Sequence, residues 1–268
     1  MKLFEQDYTV LTAEDQAELQ RLQREEDVGK LGSLPITVSR FRDYPKAARH
    51  YTSLFPNNYL DIVELKDEQR LTEQLNAFEG LLDRRGVTER LILNFINRQR
   101  AYFIVASLLK RYFTFGHHDA YLFREFPLGS SFRADYLLVG QSSGGWSYVF
   151  IEMESPRGRI TLSDGGYGVS IRKGLSQVSN WDEWIDGNFS SLREIFQRYK
   201  NPEESLPNEF VTLDKSRIHY AVIAGRRRDF SDATYRASRK SRRDSVTTVL
   251  HYDNVVDAAR DIIGCETF

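Results

Sequence analysis

FRADYLLVGQSSGGWSYVFIEMES, residues 132–155, contains two runs rich in aliphatic and aromatic residues, separated by a short polar segment. Residues 132–139 and 147–154 have the composition and length of β-strands. The connecting QSSGG, residues 141–145, is typical of a tight hairpin turn. With the turn centred on Ser143, position 135 faces position 151 or 152, so the sequence predicts an antiparallel hairpin with Asp135 beside Glu152.

The predicted hairpin carries three acidic residues, Asp135, Glu152 and Glu154. Side chains alternate between faces along a strand, so Glu152 and Glu154 share a face that Asp135 can join. One interpretation is structural, with the acids pointing to solvent at a sheet edge or pairing with Arg133, Arg157 and Arg159. Against it, Glu152 interrupts the most apolar stretch of the region, where an unpaired charge is costly.

A divalent cation would neutralise such a cluster. Mg²⁺, or Mn²⁺ in its place, binds carboxylate oxygens together with water and substrate phosphate. A metal ion in this setting polarises a phosphate group and lowers the pKa of a bound water, which is the chemistry of phosphodiester hydrolysis. The sequence therefore predicts a metal-dependent nuclease site on the hairpin.

The surrounding sequence alternates between helical and extended patterns, which is typical of an α/β fold. Residues 12–27 predict an exposed helix, residues 36–41 a strand, and residues 67–115 two helices interrupted near Gly86. After the hairpin, residues 170–184 and 191–199 predict two further helices. The C-terminal part predicts the order strand, basic helix, strand, helix, at residues 218–224, 232–243, 246–252 and 255–263.

The composition restricts the cellular compartment of the protein and the kinds of site that it can contain. The only cysteine is Cys265, so an internal disulfide and a thiolate-rich zinc site within one chain are excluded. Charged residues make up 28% of the chain, and no stretch approaches the roughly 20 apolar residues that a membrane span needs. We therefore expect a cytoplasmic protein without a membrane partner.

Five segments together resemble the nuclease domain of the Shedu antiphage defence family, within the PD-(D/E)xK nuclease superfamily. They are EFPLGSSFRADYLLVG (125–140), FIEMESP (150–156), KGLSQVSNWDEWI (173–185), VIAGRRRDF (222–230) and TVLHYDNVVDAA (248–259). The resemblance implies a restriction-endonuclease-like mixed β-sheet flanked by helices, Mg²⁺-dependent DNA cleavage, a homo-oligomer (dimer or tetramer) and a role in defence against bacteriophage. It begins near residue 86, which divides the chain into a mostly helical N-terminal arm for assembly or sensing, 1–85, and a nuclease domain, 86–268.

The resemblance also assigns roles to individual residues. Asp135 and Glu152 match the first and second acids of the superfamily, and Gln177 matches the polar residue of the following helix. Glu154 departs from the pattern, because the superfamily usually has Lys there. Lys173 is a candidate replacement, since a helix that follows the hairpin can return a long side chain to the site.

A basic segment follows the predicted strand 218–224 and continues on the next helix. Its positive charge favours binding to the DNA backbone, although a solvated helix or an oligomer contact to the acidic arm would also explain it. The predicted DNA-binding residues are Arg226, Arg227, Arg228, Arg236, Arg239, Lys240, Arg242 and Arg243.

The function that these features favour is a metal-dependent DNA endonuclease. Asp135, Glu152 and Glu154 are the predicted metal ligands, and Lys173 and Gln177 are the further candidates for the catalytic site. The alternative is a nuclease-like scaffold that binds nucleic-acid ends or a partner protein without cutting, for which Glu154 in place of Lys is the main support.

Overall fold

A five-stranded mixed sheet forms the centre of the molecule. The computed structural model describes residues 2–26, 30–31, 34–35 and 39–268. Its strands are a short pair, β1 (Lys30–Leu31) and β2 (Leu34–Pro35), and then β3 (Ala120–Leu128), β4 (Phe132–Ser142), β5 (Gly145–Met153), β6 (Ile218–Ile223) and β7 (Thr247–Leu250). The central sheet has the order β3-β4-β5-β6-β7. The first three strands are antiparallel, and β5, β6 and β7 are parallel.

Helices cover both faces of this sheet, which confirms the predicted α/β fold with a helical N-terminal region. The α-helices of the described chain are α1 (Ala13–Glu26), α2 (Lys46–Tyr51), α3 (Glu68–Asp83), α4 (Glu89–Gln99), α5 (Phe103–Ala106), α6 (Val169–Tyr199), α7 (Asp232–Ser245) and α8 (Tyr252–Ile262), of which α1 packs with α2 in a cluster apart from the sheet. Within the described ranges, no helix is long and apolar enough to cross a membrane.

Two apolar clusters hold the layers together, one on each face of the sheet. On one face, Phe78 of α3 and Val255 of α8 belong to the same buried cluster as Ile151 of β5. On the other, Trp181 of α6 packs in a cluster with Phe150 of β5. Because neighbouring residues of β5 enter opposite clusters, this strand is buried on both sides, as parallel strands covered by helices usually are.

The predicted hairpin is confirmed, with its turn at residues 143–144. Ser142 pairs with Gly145 and Tyr136 pairs with Ile151, so the same register continued by one residue brings Asp135 opposite Glu152. At Asp135, however, the pairing with β5 ends, and the pairing with β3 skips one position before it resumes between Phe126 and Ala134. Glu125, opposite Asp135 on β3, has a left-handed φ of 49°, and the Asp135 carboxylate accepts a hydrogen bond from the Met153 backbone N–H at 2.7 Å. The sheet therefore opens at this residue.

Three predictions differ from the structure. The second of the two helices expected within residues 67–115 ends at Gln99, because Arg100 has a left-handed φ of 51°, and α5 follows as a separate helix. Of the strand expected at residues 36–41, residues 36–38 lie outside the described residues, and Phe41 begins a 3₁₀ turn, Phe41–Asp43. The two helices expected at 170–184 and 191–199 form one helical run, α6, with a kink at Asn188 (φ −135°, ψ 21°). The apolar residues continue in phase across the kink, so packing keeps both halves on the same sheet face.

Candidate active site

The acidic residues of the hairpin lie where β5 ends and the sheet opens. Glu152 and Glu154 are almost completely buried, with 4% and 3% of their surface exposed, and Asp135 is half-buried. The Glu154 backbone is fixed on two sides, because its N–H donates to the Ile223 carbonyl at 2.8 Å and its carbonyl accepts from the Tyr252 hydroxyl at 2.7 Å. The position of the last acid is thus set by β6 and by the first residue of α8.

Lys173 reaches the same cluster from α6. Its Nζ lies 2.9 Å from Glu154 Oε1 and 3.0 Å from Glu154 Oε2. The next residue, Gly174, makes this approach possible: a Cβ atom there would lie 2.6 Å from Val222 Cγ1 and 3.3 Å from Glu154 Cγ. Because carbon atoms in contact prefer about 3.5 to 4.0 Å, the absence of a side chain at Gly174 lets α6 lie directly on β5 and β6.

Glu89 is a fourth acid near the site that the sequence reasoning did not include. It is the first residue of α4, which is capped by Thr88, and one of its carboxylate oxygens lies 3.9 Å from Lys173 Nζ. A negative charge is favoured at a helix N-terminus. In the sequence, Glu89 is recognisable only as a helix-start residue, and its place in the cluster depends on how α4 packs across the sheet.

The cluster carries excess negative charge. Burial, followed by the nearby Asp135 and Glu154 carboxylates, raises the pKa of Glu152. Burial also raises the pKa of Asp135, although the hydrogen bond from the Met153 N–H opposes the shift. At Glu154, burial raises the pKa more than Lys173 lowers it. One ammonium therefore does not balance these carboxylates, and a proton or a further cation would stabilise the group.

The structural interpretation of the acids, pairing with nearby arginines, does not describe this site. Arg133 lies 3.8 Å from Glu125, and Arg157 donates to the carbonyls of Leu82 and Asp83 at the end of α3. Within the described part of the chain, the basic side chain that pairs with a hairpin acid is Lys173.

Gln177 lies one helical turn after Lys173 on α6 and is half-buried. Its Oε1 is a buried acceptor without a hydrogen-bond partner, so it has capacity to accept a bond from a bound water or substrate. Among the described residues, no three His, Cys, Asp or Glu side chains are already arranged to hold a metal ion. Binding a cation through three protein ligands would therefore require side-chain movement.

Among the described residues, some of the predicted DNA-binding side chains are bound to other protein groups, and the others are free. Arg226 is largely buried and pairs with Asp83 and Asp253, each at 2.8 Å. Arg227 pairs with Asp257, Arg243 with Asp244, and Arg242 donates to the Tyr112 carbonyl. The exposed basic side chains that have neither an ion pair nor a hydrogen bond to the protein in the described residues are Arg228, Arg236, Arg239 and Lys240.

One family model, "Shedu protein SduA, C-terminal", matches residues 86–256, which is more than half of the chain. The chain belongs to the Shedu family. Shedu membership implies a role in antiphage defence and suggests a nuclease-like role. The matched Shedu region includes the whole central sheet, the acidic cluster and the basic helix α7. No curated protein matches the chain.

Proposed function

We propose that this protein is a metal-dependent DNA endonuclease that hydrolyses phosphodiester bonds in antiphage defence. The observation that carries the proposal is the hairpin register, which brings Asp135 opposite Glu152, together with the Lys173 ammonium, which lies within 3.0 Å of both oxygens of Glu154. Buried acids gathered around one lysine at an opening of the sheet are costly to fold, and a catalytic role explains why the chain tolerates them.

The donor set suits Mg²⁺ or Mn²⁺. Carboxylate oxygens are hard ligands, and a cation would offset the burial and the mutual repulsion that raise the pKa values of Asp135 and Glu152. Asp135 and Glu152 would hold the ion, with Glu154 as a third ligand or as the base. When bound, such an ion would supply polarisation of the phosphate and a lower pKa for the attacking water.

Three side chains near the acids would have the remaining roles in catalysis. The Lys173 ammonium would orient the attacking water and stabilise charge on the phosphate, as a substitute for the lysine that Glu154 replaces. The open acceptor of Gln177 would receive a hydrogen bond from that water or from the substrate. The Tyr252 hydroxyl fixes the Glu154 carbonyl, and a fixed acid costs less reorganisation during reaction.

The side chains of the basic segment that are exposed and unpaired among the described residues, at positions 228, 236, 239 and 240, would bind phosphates of the DNA away from the site. The dimer or tetramer that the family resemblance implies belongs to the same proposal, and sedimentation velocity would measure it.

A second candidate function is a nuclease-like scaffold that binds DNA without cutting it. It is favoured by the ion pair between Lys173 and Glu154, which occupies both groups, and by the need for side-chain movement before three ligands could meet.

The deciding experiment compares cleavage of linear and closed circular DNA by the wild type and by Glu152→Gln, with Mg²⁺, with Mn²⁺ and with EDTA. Glu183→Gln, at an exposed glutamate of α6, is the matched control. Endonuclease function requires metal-dependent cutting of the circular substrate by the wild type and Glu183→Gln and none by Glu152→Gln. DNA binding without cutting by any of the proteins would instead establish the scaffold.

A further inference from the structure

A basic cavity lies at the β3 edge of the central sheet, and the Arg226–Arg243 segment follows β6 towards the other edge. It has a volume of about 360 Å³, which is within the usual range for ligand sites. It lies between the N-terminal residues, the end of α4 and strand β3. Its basic lining residues are Lys2, Arg98, Arg100 and Arg124.

The positive charge of this cavity is only partly neutralised. Arg100 pairs with Glu5 at 2.9 Å and Lys2 lies 3.7 Å from Asp7. Within the described residues, no carboxylate lies within ion-pair distance of Arg98 or Arg124. Glu5 is the one acidic residue among those that line the cavity, so the cavity has a net positive charge and favours an anion.

The end of helix α4 does not cancel this preference. Helix C-termini repel anions through their unpaired carbonyls. Here three of those carbonyls already accept hydrogen bonds: Ile96 from the Ala101 N–H, Asn97 from the Arg100 N–H, and Gln99 from the Gln74 side chain. The guanidinium groups therefore dominate the local electrostatics.

The sheet order places this cavity on the β3 side of the proposed reaction site. Arg124 on β3 pairs across the ladder with Tyr136, the residue after Asp135 on β4. Because side chains alternate along a strand, Arg124 shares a sheet face with Tyr136, and the Asp135 side chain starts from the other face. On the opposite side, β6 lies beside β5 and leads directly into Arg226, Arg227 and Arg228. The acids of β4 and β5 thus lie between positive groups on both sides along the sheet.

We propose that the cavity of Lys2, Arg98, Arg100 and Arg124 binds a phosphate group of the nucleic-acid substrate, on the β3 side of the bond to be cut. This inference rests on the proposed function. The carboxylates of the acidic cluster repel a polyanion that crosses it, and cations on both sides of the cluster offset this repulsion. The arginines are suited to the task, since a guanidinium can bind phosphate through two parallel hydrogen bonds.

The test measures binding of labelled duplex DNA in EDTA, so that no cutting occurs, across about 50 to 200 mM salt. The variants are Arg98→Ala, and Arg98→Ala combined with Arg124→Gln. Arg193→Ala is the control, because Arg193 is an exposed arginine on the distal part of α6. Each lost phosphate contact should weaken binding and reduce the slope of log K against log salt by about 0.9. Thermal melting verifies folding, and Arg98→Ala decides alone if the double variant does not fold.

Closed circular DNA and linear DNA with 5′-phosphates separate the two sources of phosphate. A reduced slope on both substrates identifies an internal phosphodiester, and a reduction on linear DNA alone identifies a terminal phosphate. An unchanged affinity and slope on both, equal to those of Arg193→Ala, would overturn the proposal. Failure of the cavity proposal is distinguishable from failure of the nuclease proposal. The variants can lose DNA affinity even if the wild type never cuts DNA, and they can keep DNA affinity even if the wild type does cut it.

Discussion

Gly174→Ala tests whether the contact between α6 and the sheet positions the lysine of the site. The new methyl group would lie 2.6 Å from Val222 Cγ1, about 1 Å closer than carbon atoms in contact prefer. Val222 is fully buried, so the helix must move away by about that distance. Overpacking of this kind costs about 1 to 3 kcal/mol, and a displacement of about 1 Å at a reacting group can reduce turnover about 100-fold.

Gly187→Ala is the matched control, because Gly187 lies in the same helix and an added Cβ there meets no atom within 4 Å. We expect it to retain or raise stability by about 0.5 to 1 kcal/mol, as alanine is the better helix former. The assays are urea unfolding and metal-dependent DNA cleavage at saturating metal. If Gly174→Ala matched Gly187→Ala in both stability and cleavage, the close approach of α6 to β5 would not control the site.

Three further predictions concern stability. Tyr252→Phe removes the hydroxyl that donates to the Glu154 carbonyl and should cost about 1 to 2 kcal/mol in urea unfolding; no loss would mean that another donor serves this carbonyl. Burial raises the pKa of Asp119 from 3.8 to about 6, so ionisation of Asp119 destabilises the fold as the pH rises between these values. Asp119→Asn should therefore raise the free energy of unfolding by up to about 3 kcal/mol at neutral pH, and should not change it below pH 3.8. A gain that persisted in acid would contradict this cause. Trp181→Ala, at a side chain with 1% exposure, should cost about 3 to 5 kcal/mol, and a smaller loss in chemical denaturation would show that the core refills the space.

Local sequence patterns were sufficient for most of the sheet and helices. The alternation and turn of residues 132–155 predicted the hairpin, and its register to within one residue, because a short connection leaves little freedom in pairing. The prediction was weaker for α6, because the sequence indicated a break between residues 184 and 191. In the structure, Phe189 and Leu192 are buried in the same cluster as Trp181, and this packing keeps the helical run on the sheet. Propensity is local, and packing overrode it there.

The sequence by itself determined that Asp135 would lie beside Glu152, because the two lie on strands joined by one short turn. Glu89 could not be assigned to the site in this way, since it is 46 residues before Asp135 and joins the cluster only through the packing of α4. The same holds for the basic residues: Arg226 looks like a free cation in the sequence, but tertiary structure pairs it with Asp83 and Asp253. The sequence gives the number and the positions of the charged residues. Which of these charges are neutralised depends on distances of a few ångströms between segments far apart in the chain, and only the fold sets those distances.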